Sequence, residues 1–436
     1  MSNNIRFPTK DEIIAKVDTM QAEAVEKLKQ LVSFDSLLGN EQDAQIFMQE
    51  IFNSLSLNVE RFPIVLDDIK DLPGFSPVNW SYDGKDNVVA QHTPPVVASD
   101  MLSKGSQGKS LIFNGHIDVV PTGRETLWSK HPFSPYVKDG RLYGRGSGDM
   151  KAGVMAFVIA YKALKELGFV PSAKVIFQTV VEEECTGNGT LACLARGYRA
   201  DAAIIPEPFP FLVTGQVGVV WCNVTVQGKP AHTLEMETGI NAIDAAMYLV
   251  SAIRDLEKSW NVKEKCHPLF KQFPHPLGFN LGQIQGGEWT SSVPSECSFD
   301  LRAGFFPGTP LETVRNSITQ AIDEAAKLKK ITYQIQWNGF QAEGSTMDVN
   351  GDLMKQLGSS YKDVMGKEVP QQPILCTTDC RFFDLYYNIP SACFGPESTH
   401  IHGIDESVSL ESYRDITRVL ACFIAEWCGL QPSSSA

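Results

Sequence analysis

Three apolar, strand-like runs in this chain each end in residues that can carry a charge or hold a metal. Leu111–Phe113 gives way to Asn114-Gly115 and then to His116 and Asp118. Ala173–Val181 runs into Glu182-Glu183-Glu184, and Asp201–Ile205 into Pro206-Glu207-Pro208. The runs are continuously apolar rather than alternating, which is the pattern of strands covered on both faces. Helix-like segments separate them. Together they predict an α/β fold with a mostly parallel sheet covered by helices. In such sheets ligands bind beyond the carboxyl ends of the strands, so a site is expected where these ionisable residues gather.

About thirty residues after His116 lies a glycine-rich turn, Gly144-Arg145-Gly146-Ser147-Gly148, then Asp149 and a helix-like run from Lys151. A glycine turn before a helix can cradle phosphate. Here Asp149 stands where the last glycine of G-x-G-x-x-G belongs, and no G-x-x-x-x-G-K-[ST] occurs. An aspartate at a helix N-terminus repels phosphate, so the turn argues against a nucleotide and for a cation. His116 and Asp118 are spaced to share one side of an extended segment, where an imidazole can take a metal and a carboxylate can fix its ring.

The bulk numbers agree with an enzyme of this kind. A length of 436 residues allows two domains. A net charge of −13 argues against nucleic-acid or anionic-membrane partners and suits a carboxylate-rich site. The ten cysteines show no C-x-x-C pair, which points to reduced thiols and a cytoplasmic setting. The start, MSNNIRFPTKDEIIAK, is too polar for a signal peptide, and no apolar run reaches the length of a membrane span.

Helical spacing covers residues 10 to 34 and 41 to 55, and strands are expected at Asn58–Val65 and Asn87–Gln91. Leu72–Gly84 reads as a surface loop, as does Pro94–Lys109. From Gly218 the texture changes: strand Val219–Gln227, helix Gly239–Leu256, strands Gly278–Ile284 and Val293–Arg302, helix Pro310–Leu328, strand Ile331–Trp337. That β-α-β-β-α-β order is a ferredoxin-like α+β unit. It interrupts the α/β pattern, which resumes with helices near Leu353–Val364 and Leu410–Gly429. The expected division is a discontinuous catalytic domain, 1–217 and 339–436, with a small domain inserted at 218–338.

The candidate metal ligands are therefore His116, Asp149, one of Glu182 to Glu184, Glu207, and His400 or His402. Imidazoles mixed with carboxylates suit zinc, cobalt or manganese. Five protein ligands exceed one open tetrahedral site and fit two metals sharing a bridging carboxylate. A run of acids is more often a solvated loop, but this one follows a buried strand and precedes a tight Gly187-Asn188-Gly189 turn.

The segments GHIDVVP, GRGSGDMKAG, EEECTGNG, Pro206-Glu207-Pro208 and HGIDESV resemble the dinuclear zinc amidohydrolases of the acetylornithine deacetylase, succinyl-diaminopimelate desuccinylase, aminoacylase and carboxypeptidase G family. The resemblance spans nearly the whole chain and implies a zinc-exopeptidase-like catalytic domain with a lid and dimerisation insert, hence a homodimer. It implies that His116 and Glu207 hold one zinc, Glu184 and His402 the other, and that Asp149 bridges them. Asp118 would orient His116, and Glu183 would be the general base for an attacking metal-activated hydroxide. Gly228-Lys229-Pro230-Ala231-His232 followed by Gly239-Ile240-Asn241 fits the lid pattern. His232 would stabilise the oxyanion of a partner subunit's site, and Asn241, Arg302 and Arg381 would face substrate, Arg302 as the partner of a carboxylate.

The expected reaction is removal of an acyl group from an N-acyl amino acid or related carboxylate-bearing amide. Within the class, a dipeptidase, a carboxypeptidase or a deformylase of a non-amino-acid amide are the alternatives. A catalytically inactive metal-binding relative has no need of Glu183. Three positions depart from the family pattern: Ser292 before Val293-Pro294, Cys376 where glycine is usual, and Glu182 where aspartate is usual.

Overall fold

A computed structural model describes residues 5–433; Met1–Asn4 and Ser434–Ala436, which the expected catalytic domain includes, lie outside the described residues. A six-stranded sheet forms the centre, in the order Asn58–Pro63, Asp86–His92, Val175–Val180, Leu111–His116, Ala203–Ile205, Ser391–Cys393. Only Asp86–His92 runs against the others. The three strands read from sequence as buried runs lie side by side and parallel. Every residue of Leu111–His116 and Val175–Val180 is buried, because helices such as Ala152–Glu166 and Leu410–Trp427 cover the sheet.

Several boundaries differ from the sequence reading, among them the strand Glu296–Phe305, expected at Val293–Arg302, the strand Thr332–Ala342, expected at Ile331–Trp337, and two in the larger unit. The strand expected to stop at Asn114-Gly115 continues to His116. Gly115 is part of it because a Cβ there would stand 2.7 Å from Val154 Cγ2, so only glycine lets the covering helix approach. The single helix expected over residues 10 to 34 is two, Lys10–Thr19 and Gln21–Val32, broken where Met20 takes φ −94° and ψ −2°.

Residues from Gly218 onward build a second, antiparallel sheet, ordered Phe279–Gly286, Glu296–Phe305, Gly218–Gln227, Thr332–Ala342. Helices Ala242–Trp260 and Leu311–Lys329 pack on one face through Ala242, Ala246, Leu249 and Ile253, and through Val314, Ile318 and Ile322, spaced three and four apart. Their apolar core, from Val220 to Ala326, is separate from the large core around the central sheet. Along Glu296–Phe305 the side chains of Ser298, Asp300 and Arg302 alternate with buried neighbours and so share the opposite face.

Candidate active site

His116 ends its strand with a fully buried ring. Its Nδ1–H donates to the Asp118 backbone carbonyl at 2.8 Å, which leaves Nε2 as the free electron pair. That Nε2 lies 3.2 Å from Asp149 Oδ1 and 3.9 Å from both Glu183 Oε2 and Glu207 Oε2. The other oxygen, Asp149 Oδ2, lies 3.3 Å from His402 Nε2, and His402 is 3.0 Å from Glu184 Oε2. One carboxylate thus spans the gap between two imidazoles. The donor atoms of His116, Asp149 and Glu184 lie within 4.8 Å of one another, as do those of His116, Glu183 and Glu207. Glu183 therefore stands within ligand reach as well as base reach. His400 and His402 are both exposed and neither belongs to these groups, but among the described residues only His402 of the two pairs with Asp149 and Glu184.

The electrostatics of this cluster call for cations. Among the described residues no Lys or Arg pairs with Asp149, Glu183, Glu184 or Glu207. Burial, with Asp379 and other neighbouring carboxylates, pushes Glu183 well above the usual carboxylate range, and burial with Asp149 does the same to Glu207. For His402 the Glu184 carboxylate is the foremost cause of a rise to about 11. Burial opposes the charge on His116, yet Asp149, Glu207, Asp118 and Glu183 outweigh it and hold the imidazole well above its ordinary value. Such a donor set binds protons tightly for the same reason that it fits divalent metal ions.

The surrounding contacts explain how the ligands are held. Asp118 acts on the acidic loop more than on the ring. Its side-chain Oδ1 is 3.7 Å from His116 Nδ1, while its carboxylate accepts the backbone N–H groups of Glu183 at 3.3 Å and Glu184 at 3.1 Å. Gly153 lets the helix after Asp149 touch the Pro206 carbonyl, which a Cβ would meet at 1.9 Å, and so brings Asp149 and Glu207 together. Glu406 holds the glycine turn. Its buried carboxylate accepts from Arg145 at 2.7 Å and from the N–H groups of Gly146, Gly148 and Asp149 at 3.0, 2.9 and 3.1 Å. It lies in the HGIDESV segment, but nothing in its sequence context separates it from a solvated acid.

A cavity of about 870 Å³ opens over the cluster. Asp149, Glu183, Glu184, Glu207, His402 and Arg302 line it. Among the described residues the Arg302 guanidinium donates only to the Gly278 and Leu375 carbonyls, at 3.2 and 3.5 Å. Of the four residues expected to meet substrate or its oxyanion, three are not on this wall. His232 is exposed on the insert, where its Nδ1 accepts the Leu234 N–H at 3.0 Å. Asn241 caps the helix Ala242–Trp260, accepting from Ile243 and Asp244. Arg381, expected to face substrate, is buried beneath the site, because its guanidinium satisfies the Thr186 carbonyl at 2.7 Å and the Thr378 carbonyl at 3.2 Å.

The sequence profile described as peptidase family M20/M25/M40 matches residues 112–426. The chain belongs to that family. The M20 protein is thus a hydrolase of carbon–nitrogen bonds. It is 26% identical over 447 residues to an N-formyl-4-amino-5-aminomethyl-2-methylpyrimidine deformylase of Halalkalibacterium halodurans, covering 97% of this chain and 98% of the relative. It is 27% identical over 334 residues to a succinyl-diaminopimelate desuccinylase of Thioalkalivibrio sulfidiphilus, covering 73% of this chain and 84% of the relative. The fold matches the di-peptidase Dug1p of Saccharomyces cerevisiae with a TM-score of 0.79 at 13% identity, over 96% of this chain and 98% of that one.

Proposed function

We propose that this M20 protein is a metal-dependent amide hydrolase that removes an acyl group from an N-acyl amino acid or a related carboxylate-bearing amide. The observation that carries the reading is Asp149, whose two oxygens face two imidazoles on the floor of a cavity that also holds Glu183 and Arg302. His116 and Glu207 would hold one divalent ion, Glu184 and His402 the other, and Asp149 both. Zinc suits this donor set best, with cobalt or manganese as alternatives. Bound there, the ions would acidify a water and polarise the scissile carbonyl.

The chain's own residues do the rest. Glu183 receives the proton of the attacking water and hands it to the leaving amine. Its backbone is fixed by Asp118, so its carboxylate is aimed before substrate arrives. Arg302 binds the substrate carboxylate as a bidentate partner. Residues 1–217 and 339–436 then form the catalytic unit and 218–338 a lid. In this reading the lid also dimerises. Its edge strand Phe279–Gly286 is mostly exposed, and Leu234, Met236 and Trp289 present large apolar surfaces to solvent. A dimer would carry His232 to the partner's reaction centre as an oxyanion donor. The ten free cysteines fit a cytoplasmic setting, and no described helix is long and apolar enough to cross a membrane.

A second reading has one observation behind it. The relative matched over nearly its full length removes a formyl group from an aminopyrimidine, so the amine side need not carry a carboxylate. The test is amine release from N-acyl amino acids, N-acyl diamines, dipeptides and N-formyl amines, with zinc or cobalt and again after chelation. Chelator-sensitive turnover of the first group supports the main reading, and turnover of N-formyl amines alone selects the second. Silence across the panel, with no metal bound per chain, would refute both.

A further inference from the structure

The loop 72–85, which the fold does not require for the sheet, is tied at three places. Asn188 brackets it: Oδ1 accepts the Ser76 N–H at 3.1 Å, and Nδ2 donates to the Ser76 carbonyl at 2.8 Å and to Tyr82 Oη at 2.7 Å. The inserted sheet holds its middle, with Gly339 N–H donating to the Pro77 carbonyl at 2.8 Å and Gln341 N–H to Ser76 Oγ at 3.1 Å. Glu182 takes the third point. Its Oε1 accepts the indole N–H of Trp80 at 2.6 Å and pairs with Lys85 Nζ at 2.9 Å, while its Oε2 accepts from Thr186. Lys85 reaches on to Glu41 at 3.2 Å, and all three charged groups are buried. The strap therefore bridges the central sheet and the inserted one, and it presents Asn79 and Trp80 to the cavity.

The wall that Trp80 joins is aromatic. Phe209, Trp221 and Phe340 also line the cavity. Trp221 and Phe340 meet edge to face, with centroids 5.2 Å apart, and Gly339 lies so close to the Trp221 ring that a Cβ would stand 2.5 Å from it. The Trp221 indole N–H is buried and has no acceptor among the described residues. Carboxamides of Asn79, Asn280 and Asn338 edge the same space. Rigid aromatic faces rimmed by neutral donors and acceptors suit a flat ring with polar edges.

We propose that Trp80 is a specificity-determining residue, positioned by Glu182, and that the amide this enzyme selects carries a planar ring. The inference rests on the amide-hydrolase reading above. Anchoring the indole through its N–H directs that polar edge to Glu182 and leaves apolar ring surface for the substrate. The Glu182 carboxylate is thus a positioning group for the wall, while its neighbour Glu183 serves the reaction.

The test compares N-acetyl-phenylalanine with N-acetyl-alanine, and N-formylbenzylamine with N-formylpropylamine, using the zinc-loaded full chain. The wild type is expected to favour the ring-bearing member by about 10- to 100-fold in kcat/KM, the scale of burying one aromatic face. Trp80→Ala should lower that ratio at least about tenfold, chiefly through KM, and Trp80→Phe, which keeps an aromatic ring but loses the bond to Glu182, should restore only part of it. Metal content and unfolding midpoint are read for each variant, and Trp80→Phe answers the question if Trp80→Ala does not fold. A wild type that turns over some of these amides but shows no preference for the ring overturns the proposal. So does an unchanged ratio in Trp80→Ala. A wild type that binds zinc and cleaves none of the four also overturns this inference, while the amide-hydrolase reading is judged separately by the wider panel above.

Discussion

Replacing Glu406 with Gln should loosen the metal cluster although residue 406 touches no proposed ligand side chain. In the wild type, Glu406 Oε2 serves Arg145 and Gly146, and Oε1 serves Gly148 and Asp149. A carboxamide has one acceptor oxygen, so either orientation turns an N–H group toward two donors. Leaving two buried donors unmet costs about 1–3 kcal/mol each. The ion pair gives a consistent figure from the other side. Arg145 and Glu406 side chains are 2% and 1% exposed, and neutralising one member of such a pair costs about 3–5 kcal/mol because the other stays buried and charged. A destabilisation near 4 kcal/mol is expected, read as a lower urea midpoint at unchanged m-value. Loss of the bond to the Asp149 N–H should also cut metal affinity about 10- to 100-fold, measured by competition with a chelating dye. A Glu406→Gln protein with the wild-type midpoint and wild-type affinity would refute the claim that this carboxylate organises the turn.

Three further outcomes follow from the same geometry. Glu183→Gln should keep its metals yet lose about 10²–10⁴ in kcat, the usual weight of a general base; wild-type turnover would show that another group takes the proton. Chelation should abolish activity and lower the thermal midpoint, since ions that bind the folded cluster stabilise it by mass action; an unchanged midpoint would show that the cluster does not depend on cations. Asp384 is half-buried and accepts two bonds from Ser391, and its desolvation raises it from 3.8 to about 7. A raised folded value means that its stabilising contribution is complete below pH ~4 and lost as pH rises through 7. At ~1.4 kcal/mol per pH unit the upper limit is roughly 4 kcal/mol. Urea midpoints at pH 4.5 and 7.5 should therefore draw together in Asp384→Asn, and an unaltered gap would contradict the assignment.

What could be read from sequence was whatever the chain states locally. A buried run followed by an acid or imidazole is a statement about one strand end, and a parallel sheet brings several such ends to one edge. His116, Glu183, Glu184 and Glu207 became legible in that way. The β-α-β-β-α-β order of the insert was legible because each element carries its own period. Contacts between distant segments left no such trace. Glu406 binds a turn more than 250 residues earlier, and Arg381 looks like a surface cation in sequence but lies under the loop that follows Glu184. Asn241 and His232 fit a pattern, and their side chains are engaged with neighbouring backbone.

The acidic run Glu182-Glu183-Glu184 shows most directly why pattern alone stops short. Three consecutive carboxylates read as a solvated patch or as a metal ligand beside a free base, yet they have three separate surroundings. Glu182 takes the left-handed φ of +68°, uncommon for a residue with a Cβ, and is turned away from the cluster toward Lys85 and Trp80. Its carbonyl is left to receive the N–H groups of Thr186 and Gly187, which closes the turn beneath the site. Glu183 then faces His116, and Glu184 faces His402. The backbone reversal at one residue thus separates the anchor of the cavity wall from the proposed base and ligand. A Glu182→Gly variant, which relieves the φ penalty but removes the anchor, should accordingly release the strap while leaving the turn able to form. The expected signature is faster proteolysis within 72–85 with metal affinity kept within about threefold. Equal protection of the strap in both proteins would mean that Asn188 and the inserted sheet hold it without Glu182.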